Sequence, residues 1–180
     1  MEKFIVAILP LASLVHLCVS EVVMSRQSIA FGGHPPIESW LFHACKYLSI
    51  GVWIGMALQS LGIGFHLAPG SSFSSWLAIG LWIAGFGFLC FGRISLGRHA
   101  RIGLPDESTA LHTDGAYRFS RNPMYAGLDL TMIAAILYTR NPAILALAAF
   151  VTAAHHRIIL VEERWLLATF GRAYEGYRLT

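Results

Sequence analysis

Long runs of apolar residues, separated by shorter polar connections, dominate the pattern of this chain. A helix needs about 20 mostly apolar residues to cross the ~30 Å hydrocarbon core of a bilayer. The pattern predicts five helical segments, at about residues 4–23, 48–67, 73–92, 124–139 and 142–161. The fourth segment is the shortest, and Asn141-Pro142 separates it from the fifth, with Pro142 at a favoured first helical position. We therefore expect an all-α polytopic membrane protein with about five transmembrane helices, the last two of which form a helical hairpin.

The composition agrees with this interpretation and excludes other classes of protein. Hydrophobic residues make up 56% of the chain and charged residues only 13%, whereas a soluble domain carries about 25% charged residues. This excludes a soluble globular enzyme, and the high apolar content excludes a disordered chain. The net charge of +3 is small and no basic run is present, so we expect membrane lipids as partners and no nucleic acid.

The charged residues are unevenly distributed between the two halves of the chain. Residues 1–92 hold three basic and three acidic residues, and residues 93–180 hold ten and seven. We expect residues 1–92 to form a three-helix membrane scaffold. Residues 93–180 would form the catalytic region of the same domain, with a polar loop at 93–123, the helical hairpin and a C-terminal helix. Loops of this length in compact domains are usually functional or disordered.

The positions of lysine and arginine predict an orientation, because cytoplasmic connections carry an excess of both. The 93–123 connection is basic and is expected in the cytoplasm, whereas the preceding connection, 66–75, holds neither residue. This places the N-terminus outside and the C-terminus in the cytoplasm, in an integral protein of the bacterial inner membrane. Lys3 and Arg140 are the two bases that this arrangement places on the outer side.

Two polar segments flank the predicted hairpin and should meet at its cytoplasmic end. Arg118 and Arg121 suit a carboxylate or phosphate, while Glu162 and Glu163 suit an amine or another cation. Tyr117, Tyr125 and Trp165 suit a flat ring or an onium centre. A zwitterion that carries an aromatic base, such as S-adenosylmethionine, satisfies all three requirements. A phospholipid headgroup also fits, and these residues alone leave the choice open.

The spacing of these residues resembles a known superfamily. Residues 113–127 follow the pattern T-x-G-x-Y-R-x-x-R-N-P-x-Y-x-G, and residues 162–177 follow E-E-x-x-L-x-x-x-F-G-x-x-Y-x-x-Y. Together they resemble the isoprenylcysteine carboxyl methyltransferase and phospholipid methyltransferase superfamily, and Ser95-Leu96-Gly97-Arg98 resembles an element found upstream in bacterial members. The resemblance implies an integral membrane, S-adenosylmethionine-dependent methyltransferase without a Rossmann domain. Its cofactor pocket would open to the cytoplasm, and a lipophilic substrate would enter from the bilayer.

The resemblance also implies candidate site residues. Arg118 is included because it pairs with Arg121, and the other candidates match motif positions. The residues expected to bind the cofactor are His112, Gly115, Tyr117, Arg118, Arg121, Asn122, Pro123, Tyr125, Glu162 and Glu163. Adjacent helical residues point about 100° apart, so one of the two glutamates should face the ligand, and we prefer Glu163. Arg121, Glu163 and Asp129 are the candidate catalytic residues. Asp129 can equally be an anion stabilised near the start of its helix. No metal site is expected.

The function that the resemblance implies is methyl transfer from S-adenosylmethionine to a lipophilic or lipidated acceptor in the membrane. A carboxylate of the isoprenylcysteine type is the preferred acceptor because it needs no base. The first alternative is phospholipid amine N-methylation, which would need a base such as Asp129, His112 or one of the glutamates. The second is a non-catalytic transporter subunit or a haem-binding protein that uses His16, His43 or His66. We further expect a lateral entrance for the acceptor beside Ala126 and Gly127.

Overall fold

A computed structural model describes residues 1–26, 33–64, 70–97, 103–104 and 110–179. Within these ranges the chain forms helices and no strand, with one isolated backbone bridge between His34 and Leu104. The helices are α1 (Glu2–Arg26), α2 (Ser39–Ser60), α3 (Ser72–Leu96), α4 (Pro123–Thr139), α5 (Pro142–Phe170) and α6 (Arg172–Arg178), with a 3-10 turn at Gly115–Arg118. The predicted all-α class is confirmed.

Four of these helices, α1, α2, α3 and α5, are long and apolar enough to cross a membrane. Helix α4 has 17 residues, which rise about 25 Å and fall short of a ~30 Å hydrocarbon core. The structure therefore has four long apolar helices and one shorter helix at the place of the fourth predicted segment, which is the shortest of the five. Helix α5 begins at Pro142, where the Asn141 side chain accepts a hydrogen bond from the Ala143 N–H at 2.9 Å.

Helix α2 begins and ends earlier than its predicted range of 48–67. Its first turns contain His43 and Lys46, two polar residues that the sequence pattern assigned to a connection. Both side chains are exposed, so the helix carries them without burying charge. The helix ends at Ser60, and Gly62 follows with a φ of 86°. That left-handed conformation suits glycine and stops the helix.

The helices run alternately up and down, so that the same ends of several helices meet. At one end, which we call the far end, Gln59 of α2 donates a hydrogen bond to the Thr139 carbonyl at the end of α4. Arg140 donates to the Ser74 hydroxyl of α3 at 2.7 Å at the same end. The opposite end, which we call the site end, gathers the C-terminal ends of α1, α3 and α5 and the N-terminal ends of α2 and α4.

Buried aromatic residues tie the helices together in the core. Trp53 of α2 and Trp82 of α3 are almost fully buried, with ring centroids 5.1 Å apart. The Trp53 indole N–H donates to the Thr131 hydroxyl of α4 at 2.9 Å, and the Trp82 N–H donates to the Ser13 hydroxyl of α1 at 3.2 Å. Both indoles therefore satisfy their polar group while burying a large apolar surface.

Helices α3 and α4 cross closely at Gly127, one of the two residues, with Ala126, beside which we expected the entrance, and this contact overturns the expectation at Gly127. A Cβ atom added at Gly127 would lie 2.5 Å from the Gly85 carbonyl oxygen and 2.6 Å from the Leu89 nitrogen. Only glycine allows two helix backbones to approach this closely. Gly127 therefore belongs to a packed helix interface that leaves no space for a lipid chain. Gly85 lies on the α3 side of the same contact, where an added Cβ would lie 2.6 Å from the Gly127 carbonyl oxygen.

Candidate active site

A cavity of about 360 Å³ opens at the site end and extends between the helices. Its volume falls within the range of about 300–1,000 Å³ that is typical of small-molecule sites. Six of the residues selected from the sequence line it: His112, Tyr117, Arg121, Asn122, Tyr125 and Glu162. The fold therefore brings together residues from the 3-10 turn, the start of α4 and α5, although up to 50 positions separate them in the chain.

The two adjacent glutamates of α5 have different surroundings. Glu162 lines the cavity and accepts a hydrogen bond from the Tyr125 hydroxyl at 2.7 Å. Glu163 is not among the cavity-lining residues. Its Oε1 lies 3.3 Å from the Arg121 Nε and accepts from the Asn122 side-chain amide at 3.3 Å. Glu162, and not the preferred Glu163, is therefore the glutamate that faces the cavity. Glu163 lies outside the lining and contacts Arg121 and Asn122 there.

The segment before α4 is fixed by a close contact with α3. Gly115 has a φ of 57°, and a Cβ atom there would lie 2.4 Å from the Ser95 hydroxyl oxygen. The next residue, Ala116, is fully buried and donates its N–H to that hydroxyl at 3.0 Å. Gly115 therefore shapes the 3-10 turn and lies outside the cavity lining. Ser95 belongs to the upstream element of the sequence motif, whereas its Arg98 lies outside the described residues.

Tyr117 is positioned by the turn on one side and by α6 on the other. The Tyr177 hydroxyl of α6 donates a hydrogen bond to the Tyr117 carbonyl oxygen. Burial raises the pKa of the Tyr117 phenol well above its ordinary value, and the nearby negative charge of Glu162 raises it further. Burial also raises the pKa of Tyr177. Both phenols therefore stay neutral and remain hydrogen-bond donors at physiological pH.

Three other selected residues lie outside the cavity lining. Arg118 is exposed at the end of the 3-10 turn. Pro123, at the first position of α4, is buried, and a Cβ atom added at Gly92 of α3 would lie 3.1 Å from its ring. Asp129 faces a second groove, on the outer side of α4 and α5. Of these three residues, none contacts the cavity directly.

Sequence reasoning missed several cavity residues. His155 of α5 is almost fully buried and lines the cavity. It precedes Glu162 by seven residues, which is two helical turns and the same helix face, and this spacing was the signal that could have found it. Residues 1–92, assigned to the scaffold, also contribute side chains with polar groups to the lining: Glu21, Cys45, Lys46 and Ser49. Arg93, the first residue of the second half, lines the cavity as well.

The histidines proposed for haem do not converge among the described residues. His16 of α1 lies 3.7 Å from the Cys90 sulfur of α3 and packs edge-on against Phe86. His43 is exposed near the start of α2 and packs against its neighbour Phe42. His66 lies outside the described residues. Within the described ranges, no group of three or more His, Cys, Asp or Glu residues could hold a metal ion.

Comparison with known proteins gives one family match. The family model described as phospholipid methyltransferase matches residues 73–173, which is more than half of the chain. The matched region runs from the start of α3 into α6 and includes the 3-10 turn and the hairpin. No curated protein and no solved structure matches the chain.

Proposed function

The chain belongs to the phospholipid methyltransferase family, and from this premise we propose that its cavity binds S-adenosylmethionine and a lipid acceptor. The family is one of membrane methyltransferases, so methyl transfer within the membrane is the activity of the chain. The single observation that carries the proposed site is the convergence of both sequence motifs, through Tyr125 and Glu162, on one cavity. The cofactor, its residues and the acceptor are proposals that build on that convergence.

The residues at the open end of the cavity fit the cofactor by their chemistry. The Glu162 carboxylate suits the amine or the sulfonium, and Arg121 and Asn122 suit the carboxylate. Tyr117 and Trp165 supply aromatic faces for adenine. When bound, S-adenosylmethionine supplies an electrophilic methyl group. These side chains would align the acceptor with that group and exclude water, effects that can lower a barrier by ~7–11 kcal/mol.

The inner part of the cavity suits a lipid. Apolar side chains of α1 and α2 line it, among them Leu14, Leu17, Ile50 and Trp53. Cys18 of α1 lines the cavity and is also exposed on the surface of the helix. We therefore place the lateral entrance beside Cys18 of α1.

Two acceptors are candidates. A phospholipid amine is favoured by the family description and by the acidic side chains of Glu21 and Glu162 in the cavity lining. A carboxylate of the isoprenylcysteine type is favoured by Lys46, Arg93 and Arg121, which supply positive charge to the same lining. We propose the phospholipid amine as the acceptor and keep the carboxylate as the second candidate.

The proposed orientation keeps the site end in the cytoplasm, with the N-terminus outside and the C-terminus inside, in a bacterial inner membrane. It is supported by the basic residues that lie at this end, including Lys46, Arg121 and Arg157, against Lys3 and Arg140 at the far end. A soluble cofactor would then reach the cavity from the cytoplasm.

The test uses purified protein in detergent-free vesicles with methyl-labelled S-adenosylmethionine. Vesicles of phosphatidylethanolamine should yield a labelled lipid. Mild base should remove its acyl chains but leave the label on the headgroup, because an N-methyl bond is stable. Vesicles of phosphatidylglycerol alone, which lack an amine, are the matched control and should yield none. A base-labile product from an added prenylcysteine would support the carboxylate candidate instead. Folded protein that labels neither acceptor would contradict the proposed function.

A further inference from the structure

A buried histidine and an aspartate form a pair across the helical hairpin, on the wall of the cavity. The His155 Nδ1 lies 2.7 Å from the Asp129 Oδ1. His155 is only 3% exposed and lines the cavity, whereas Asp129 lies behind it, toward the outer groove. Asp129 also accepts a hydrogen bond from the Thr152 hydroxyl at 3.3 Å. These contacts hold the imidazole ring in one orientation.

The contact determines which nitrogen of the ring can take up a proton. An aspartate accepts a hydrogen bond, so Nδ1 carries a hydrogen, and in the neutral form of the ring Nε2 holds the lone pair. The groups around the ring come from three helices: Cys45 of α2, Asp129 and Tyr125 of α4, and Glu162 of α5 itself. The Cys45 thiol is a weak donor, and it donates to the Val151 carbonyl oxygen at 3.8 Å. Glu162 already accepts from Tyr125. In the neutral ring, Nε2 is therefore a basic atom on a side chain that lines the cavity, next to the Glu162 carboxylate.

We propose that His155 is the proton acceptor for an amine bound in the cavity, and that Asp129 is the positioning residue that orients it. This inference rests on the proposed function. A protonated amine has no lone pair and cannot be methylated until it loses a proton. In the step, the ammonium donates its proton to Nε2, and the amine lone pair forms the new C–N bond. The C–S bond of the methyl donor breaks, and its electron pair stays on sulfur.

The charges of the pair suit this role. When the imidazole is neutral, it and the Asp129 carboxylate carry one negative charge between them, and uptake of the proton gives a compensated ion pair. In a low-dielectric site, such compensation stabilises the imidazolium that forms. A carboxylate acceptor has no proton to lose and would gain nothing from the pair. The pair therefore supports the proposed phospholipid amine over the carboxylate acceptor.

The experiment measures kcat and KM with phosphatidylethanolamine vesicles for the parent, His155→Ala, His155→Asn and Asp129→Asn. The control is His156→Ala, which removes the adjacent exposed histidine on the outer groove. We expect kcat of His155→Ala to fall about 10²–10⁴-fold, with S-adenosylhomocysteine affinity retained and with partial rescue by added imidazole. Asp129→Asn should lower kcat at unchanged KM, and His156→Ala should match the parent.

Three results would overturn the inference. They are a parental kcat in both His155 variants, a loss that imidazole does not rescue while S-adenosylhomocysteine still binds, and turnover of a carboxylate acceptor only. His155→Asn keeps a polar group toward Asp129 and decides the question if His155→Ala does not fold. A parent protein that labels no acceptor contradicts the proposed function, so failure of the proposed function and failure of this inference give different results.

Discussion

Replacing Gly127 by alanine tests the packing of α3 against α4. The added Cβ would lie 2.5 Å from the Gly85 carbonyl oxygen, 2.6 Å from the Leu89 nitrogen and 3.1 Å from the Leu89 Cα. Ordinary contacts begin near 3.4 Å, so the two helices would have to separate by close to an ångström. The obstructing atoms belong to the backbone and cannot move as a side-chain end can. Overpacking of this kind costs about 1–3 kcal/mol.

The assay is thermal unfolding in detergent, monitored by the near-ultraviolet circular dichroism of the buried tryptophans. A cost of about 1–3 kcal/mol corresponds to a Tm lower by roughly 2–12 °C for a chain of this size. The matched control is Gly87→Ala, two residues from Gly85 on the same helix, where an added Cβ meets no atom within 4 Å. A Gly127→Ala protein as stable as Gly87→Ala would refute the close crossing and restore the entrance expected there.

Three further predictions follow from the site. Cys18→Phe should slow turnover of long-chain lipids severalfold at unchanged S-adenosylhomocysteine affinity, because it narrows the lateral entrance. The control is Val19→Phe, at the adjacent exposed position. Equal turnover rates in the two variants would exclude this entrance. Tyr125→Phe removes the 2.7 Å hydrogen bond that orients the Glu162 carboxylate and should weaken S-adenosylhomocysteine binding by about 1.5–3 kcal/mol. Parental affinity by calorimetry would exclude a role for this hydrogen bond in cofactor binding. Gly115→Ala should lower the Tm, because alanine is strained at a φ of 57° and its Cβ would lie 2.4 Å from Ser95; an unchanged Tm would contradict the contact.

The helices could be predicted from the sequence because their signals are local. Twenty-residue apolar runs, Pro142 at the first turn of α5 and the short fourth segment all depend on neighbours along the chain. The start of α2 was missed because an exposed lysine and histidine near a helix end resemble a connection. Their side chains reach solvent from within the helix, so the polar pattern and the helix boundary do not coincide.

The site could be predicted only in part, because helix rotation depends on tertiary packing. The motifs identify Glu162 and Glu163 as neighbours, but the packing of α5 decides that Glu162 faces the cavity. The pairing of His155 with Asp129 spans 26 positions across the hairpin and follows from the register of α4 against α5. No local pattern reports that register. A small residue such as Gly127 can either leave space beside its helix or allow a second helix to pack closely there. Only the position of α3 distinguishes the two interpretations.

The most direct test of the proposed cofactor site is the affinity of S-adenosylhomocysteine, measured by isothermal titration calorimetry on the purified protein. The matched pair is Glu162→Ala, in the cavity lining, and Glu175→Ala, an exposed acid of α6. We predict one binding site in the parent, unchanged affinity in Glu175→Ala, and an affinity lower by about 1.5–3 kcal/mol in Glu162→Ala from loss of a charged hydrogen bond. Equal affinities in the two variants, or no binding to the folded parent, would contradict the assignment of this cavity to the cofactor.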